Sequence, residues 1–169
     1  MLRWTDYLEV NAIRPSLEAR DGVGGVHELA GLMAARARVP ERELAAKLLA
    51  RERLGSTATE GGVAIPHCRL ARVPRIVTCV GIHRGGLAFG EPEEGLVRIF
   101  VGLVSPPDTA GLHLSVLARI AGLLRQPVLR QALLCAPSAA AIHAVLAGAE
   151  DTLLLARREV LLVPSARSL

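Results

Sequence analysis

From Asp21 onward, apolar positions recur at intervals of three and four, with Val26, Leu29, Ala30 and Met33 along one face, and this spacing predicts a helix. Arg38-Val39-Pro40 ends it. Pro40 suits the first position of a second helix, Glu41 and Glu43 favour its first turn, and Leu44, Leu48 and Leu49 form its apolar stripe. Arg51 then falls near the C-terminus of that helix, just before Gly55 breaks it. Val63-Ala64-Ile65 reads as a short strand, and Pro66 is expected to end its ladder because proline has no N–H to donate. Residues 76–82 and 97–104 are the clearest strands, with Gly85-Gly86 and Gly90 to Gly95 read as turns between them. Ser105 to Gly111 forms a loop into a third helix over 112–124, where Leu114, Leu117, Ile120, Ala121 and Leu124 keep helical spacing. Gln126-Pro127 opens another helix, and Ser138 caps a last one through Ile142, Val145 and Leu146. At the N-terminus, Thr5-Asp6 caps a short turn anchored by Tyr7 and Leu8.

Helices and strands interleave without a strict βαβ alternation. The natural solution is an α/β fold in one domain, a mixed sheet covered by helices. The chain has 169 residues, enough to bury a substantial core, and shows no repeat, linker or low-complexity segment. We place one domain over 1–150 and an ordered C-terminal extension of the same domain over 151–169. Within it, residues 153–163 read as a short helix followed by a strand.

Composition narrows the function. Hydrophobic residues make up 51% of the chain, which excludes disorder, and aromatics only 2%, so the core is aliphatic. The net charge of +4 is carried by arginines scattered among acids, with no basic stripe interleaved with aromatics, which argues against nucleic-acid binding. The N-terminus lacks the apolar stretch of a signal peptide, and no apolar run approaches the ~20 residues that cross a bilayer. These features point to a cytoplasmic protein with reduced thiols and no direct membrane insertion. Cys68, Cys79 and Cys135 form no short-spaced pair, so no metal site is expected.

The candidate chemistry lies between Arg51 and His67. A cation, the hydroxyls of Ser56 and Thr57, a glycine pair and a short apolar run lead to Pro66 and one histidine. Imidazole is a nucleophile at neutral pH, and a guanidinium is shaped to hold phosphate oxygens. His113, in the first turn of the third helix, is a second imidazole, and the helix N-terminus adds an anion-binding end. A structural histidine at 67, a polar helix-start residue at 113 and a dipole-satisfying charge at Arg51 are the plainer alternatives. His27, His83 and His143 receive no role.

Arg51-Glu52-Arg53-Leu54-Gly55-Ser56-Thr57 with Gly62-Val63-Ala64-Ile65-Pro66-His67, and His113-Leu114 with Leu117-Ala118-Arg119-Ile120-Ala121 and Leu123-Leu124, resemble the IIA component of the bacterial phosphoenolpyruvate-dependent phosphotransferase system. The resemblance is to the fructose/mannitol class, which includes nitrogen-regulatory members, and it extends from Asp6 to about Gly148. It implies a mixed sheet of about five strands with helices on both sides. It also implies that His67 accepts a phosphoryl group on Nε2, that His113 is its active-site neighbour, and that Arg51 binds phosphate with Ser56 and Thr57 in contact. The donor would be HPr or an HPr-like carrier, and the acceptor a IIB component or a regulatory target such as a kinase or transporter. No cofactor is implied. With no membrane domain and no IIB-like segment, the chain reads as a stand-alone IIA protein, which favours the nitrogen-regulatory role over sugar uptake. The sequence departs from the family pattern at Ala58 and Glu60, where glycines are usual, at Ala88, and at Cys68 after the histidine. A non-catalytic interaction module of the same fold, with Glu60 helping to disable phosphorylation, is the alternative function.

Overall fold

Two long strands, β5 (Val77–Ala88) and β6 (Leu96–Ser105), pair antiparallel at the centre and alternate their side chains between two cores. Cys79, Phe100 and Val104 enter one core with Val26, Leu29 and Met33 of α1 (Gly22–Ala37) and Leu44 and Leu48 of α2 (Glu41–Glu52). Val80, Ile82, Ile99, Val101 and Leu103 enter the other. There they meet Val116, Ile120 and Leu123 of α3 (Ala110–Leu124), Leu129 and Leu133 of α4 (Pro127–Cys135), and Ile142 and Leu146 of α5 (Ala139–Leu162). The computed structural model, which describes residues 2–91 and 95–162, is therefore a mixed sheet with α1 and α2 on one face and α3, α4 and α5 on the other.

The sheet has six strands in the order β1 (Leu8–Arg14), β5, β6, β3 (Val63–Ala64), β2 (Ala58–Thr59), and β4 (His67–Arg69) pairs further along β6. β1 runs parallel to β5, and β3 and β4 both run parallel to β6. Close packing explains one glycine inside it. A Cβ on Gly102 would lie 2.6 Å from Cys79 Sγ and 2.8 Å from Met33 Cε, so only glycine lets α1 approach β6 at that point.

The helix boundaries follow their caps. Asp21 accepts from the Gly24 amide at 2.7 Å, and Ser138 Oγ from that of Ala141 at 3.1 Å. Pro127 takes the first position of α4.

Several expectations need correction. Pro40 is the residue before α2 rather than its first, with ψ at 137°, so the helix begins at Glu41. Gly85-Gly86 is not a turn: both lie inside β5, where a register break between Ile82 and Leu87 absorbs the positive φ of Gly86. The turn from Gly90 to Gly95 falls partly on residues 92–94, outside the described residues. β1 escapes a pattern-based reading because its own register break lies between Leu8 and Ile13, which destroys alternation over Glu9, Val10 and Asn11. Pro66 interrupts the ladder without ending it. Its carbonyl accepts from the Leu103 amide at 3.0 Å, and pairing resumes at His67.

No strand forms in the C-terminal extension through residue 162, because α5 continues unbroken across position 150; residues 163–169 lie outside the described residues. One stretch of α5 is close to bilayer length, although His143, Glu150 and Asp151 interrupt its apolar run. Ala139–Arg157 spans 19 residues at a mean hydropathy of 1.4, long and apolar enough by length and composition to cross a membrane. Its inner face nevertheless packs on the sheet through Ile142 and Leu146. That face ends at buried Glu150, which accepts from the Trp4 amide at 2.8 Å, the Thr5 amide at 3.1 Å and Thr5 Oγ1 at 2.7 Å.

Candidate active site

The last turn of α2 delivers Arg51 and Glu52, and a short turn closes beneath them. The Leu54 amide donates to the Arg51 carbonyl and the Gly55 amide to that of Glu52, each at 3.1 Å, while Arg51 Nη1 donates to the Gly55 carbonyl at 3.0 Å. The β2–β3 hairpin follows. Gly61 and Gly62 supply its positive φ values of 88° and 75°, whereas Ala58 sits in extended backbone opposite Ala64. The glycine missing at Ala58 is therefore not needed there. β3 and β4 are two pieces of one line along β6, broken at Ile65-Pro66, and they set His67 opposite Leu103 and Arg69 opposite Ser105.

Past Ser105 the chain turns through a short 3-10 segment, Pro107–Thr109, into α3, which carries His113 in its first turn. The two imidazoles meet with ring centroids 5.6 Å apart and planes at 61°. His67 is half-buried and His113 only 2% exposed. The first amides of α3 have no partners within the helix, and Thr109 spends its hydroxyl on the Pro106 carbonyl rather than capping them. His113 stands at that positive end of the helix.

Hydrogen bonds fix how each ring presents itself. His67 Nδ1 lies 2.8 Å from the Ile65 carbonyl, which can only accept, so Nδ1 carries the proton and Nε2 keeps its lone pair. His113 Nδ1 lies 2.6 Å from Ser105 Oγ. Burial lowers the pKa of His67 from its ordinary 6.5; the bond to Ile65 opposes this, Arg51 lowers it further, Glu52 raises it and Arg69 lowers it. Burial, then the charges of His67 and Arg69, bring His113 down to about 4. Both rings are neutral at pH 7. A deprotonated nitrogen beside a second neutral imidazole and a guanidinium suits attack on an electrophilic phosphorus and binding of its oxygens.

The structure thus brings His67 and His113 together and sets Arg51 where its charge acts on His67. Ser56 Oγ accepts from the Ala58 amide at 3.1 Å. Thr57 turns its amide and its hydroxyl onto Glu52 at 2.6 and 2.8 Å, so a phosphate contact from Thr57 requires that carboxylate to let go. The acid whose charge bears on His67 is Glu52. Glu60 instead helps to line a neighbouring cavity of about 240 Å³ with Thr59, Val63, Ile65 and Arg125. Cys68, one residue from His67, faces the opposite core, where burial raises its thiol to about 12 and leaves it unreactive. Among the described residues, no three His, Cys, Asp or Glu side chains are placed to hold a metal ion.

Sequence reasoning missed Ser105, Glu52 and Arg69. Nothing in a linear pattern marks Ser105 as the partner of an imidazole in the next helix. Arg69 was detectable in principle, since residues two apart in a strand share a face, but only if the ladder is known to resume after Pro66.

Residues 6–149 match the profile described as "Phosphoenolpyruvate-dependent sugar phosphotransferase system, EIIA 2". A "Nitrogen regulatory protein" of Bradyrhizobium diazoefficiens is 34% identical over 143 residues, covering 85% of this chain and 94% of that one. Another protein of that name, from Pseudomonas aeruginosa, is 32% identical over 104 residues, covering 62% of this chain and 68% of that one. Among solved structures, nitrogen regulatory protein IIA-Ntr from Neisseria meningitidis superposes with a TM-score of 0.80 at 30% identity, covering 84% of this chain and 97% of that one. The mannitol IIA of Escherichia coli shares the fold, with a TM-score of 0.71 at 18% identity over 82% of this chain and 97% of that one. By extent and identity, this chain belongs to the EIIA 2 family of the phosphoenolpyruvate-dependent phosphotransferase system.

Proposed function

We propose that this protein is a phosphocarrier whose His67 accepts a phosphoryl group on Nε2 from the phosphohistidine of HPr or an HPr-like protein in the cytoplasm. The group then passes to a IIB component, or the phosphorylation state itself serves as a signal to a regulatory target. The name shared by the two relatives favours the nitrogen-regulatory role. The observation that carries the reading is the Nδ1 contact of His67 with the Ile65 carbonyl, which leaves the outward nitrogen unprotonated beside His113. Such transfer asks little covalent chemistry of the protein beyond an aligned nucleophile and compensated oxygens. His113 supports the oxygens as a neutral donor, Arg51 as a guanidinium, and Ser56 through its hydroxyl proton.

The test combines the protein with phosphoenolpyruvate, enzyme I and HPr and follows its mass. One acid-labile phosphate, absent from His67→Ala, is the expected result. No gain with any of several HPr-like donors would leave the interaction-module reading in its place.

A further inference from the structure

The charge balance around His67 leaves a gap. A phosphoryl group on a side chain brings roughly 1.5–2 negative charges. Arg51 supplies one positive charge, and Glu52 adds a negative one nearby. His113 adds none at pH 7 in the unphosphorylated protein, where its pKa is lowered to about 4. Arg69 is exposed and lies two residues from His67 in β4, so the pleat puts both side chains on one face of that strand. Its register partner is Ser105, the residue that holds His113. The ion pairs among the described residues engage Arg3, Arg14, Arg36 and Arg72, and none engages Arg69. The Arg69 charge lies close enough to both imidazoles to lower the pKa of each.

We propose that Arg69 is a second guanidinium ligand of the phosphoryl group on His67, acting beside Arg51; this rests on His67 being the acceptor. In the transfer, the Nε2 lone pair of His67 forms the new N–P bond while Nδ1 keeps its proton. The N–P bond to the carrier's imidazole breaks with its electron pair staying on that ring, which leaves as a neutral imidazole carrying a proton on its other nitrogen. No proton moves at phosphorus. The three oxygens keep their charge throughout, and Arg69 compensates the part that Arg51 leaves exposed.

Wild type, Arg69→Gln and Arg69→Lys are compared in single turnovers from phosphorylated HPr-like carrier at saturating and subsaturating concentrations. The rate at saturation is expected to fall roughly 10- to 100-fold in Arg69→Gln, with little change in apparent affinity and partial recovery in Arg69→Lys. Phosphorus NMR of phosphorylated Arg69→Gln is expected to show a raised pKa for the phosphoryl group. A wild-type saturating rate in Arg69→Gln, or a loss confined to apparent affinity and abolished by salt, overturns the assignment while leaving His67 as acceptor. Wild type that takes up no phosphate at all removes the acceptor reading, and this proposal with it.

Discussion

Ser105 Oγ sits 2.6 Å from His113 Nδ1 across eight residues of chain, in a position where the serine is fully buried. This bond fixes the plane of the His113 ring, and where the serine hydroxyl is the donor the ring carries its own proton on Nε2. Ser105→Ala leaves a buried ring nitrogen unpaired. The expected cost is about 1–3 kcal/mol in urea unfolding. Phosphoryl acceptance is expected to slow roughly tenfold as the ring loses its orientation. An alanine variant with full stability and full rate would show that the bond orients nothing.

The titration of His67 tests the electrostatics directly. Its midpoint by NMR is expected below 6.5, and nitrogen shifts at neutral pH should report the proton on Nδ1. Arg51→Gln removes a charge that lowers the pKa and should raise the midpoint; Glu52→Gln removes one that raises it and should lower the midpoint. A dominant Nε2–H tautomer would contradict the assignment of the nucleophile.

Much of this site was legible because its parts are local. Arg51 at a helix end, His67 after Ile65-Pro66 and His113 at a helix start all follow from periodicity and breaker residues read one segment at a time. What stayed hidden depends on pairing between distant segments. The resumption of the ladder at His67 rests on the Leu103 amide finding the Pro66 carbonyl, a contact no local rule supplies. Without β4, neither the outward face shared by His67 and Arg69 nor the inward turn of Cys68 can be inferred. The same limit hid β1, whose pairing with β5 survives a register break that erases its sequence alternation. Gly85-Gly86 misled for the opposite reason, since a bulge inside a strand uses the same residues as a turn.

Stability should depend on pH through His113. Its folded pKa of about 4 lies below the ordinary 6.5, so between these values the unfolded chain binds more protons than the folded one. Stability is therefore fully present above pH 6.5 and is lost as pH falls toward 4. From pH 7 to 4.5 this ring alone should cost about 2 kcal/mol. The burial-lowered His67 adds to the loss with the same sign. Carboxylates contribute equally to wild type and His113→Gln, so the difference between their urea midpoints across this range isolates the ring. Parallel pH profiles for the two proteins would mean that His113 protonates without penalty.

Glu150 ties the two ends of the domain together, and its removal should be felt in stability before chemistry. The carboxylate is 1% exposed and accepts from the Trp4 amide, the Thr5 amide and the Thr5 hydroxyl. Trp4 in turn donates from Nε1 to Thr78 Oγ1 at 3.2 Å, and that hydroxyl donates to the Tyr7 carbonyl at 2.7 Å, so the network reaches the central strand. Glu150→Ala strands three donors where little water enters, and the expected loss is about 3 kcal/mol or more. Glu150→Gln keeps one acceptor oxygen but turns an amide donor toward the others, which should give an intermediate loss. Amide exchange at Trp4 and Thr5 should accelerate beyond the global change, because the N-terminal turn detaches before the sheet opens. His67 and its neighbours belong to other elements, so the folded variant should still accept phosphate at the wild-type rate. Exchange at Trp4 and Thr5 that merely tracks global unfolding would mean the two ends are held by core packing alone.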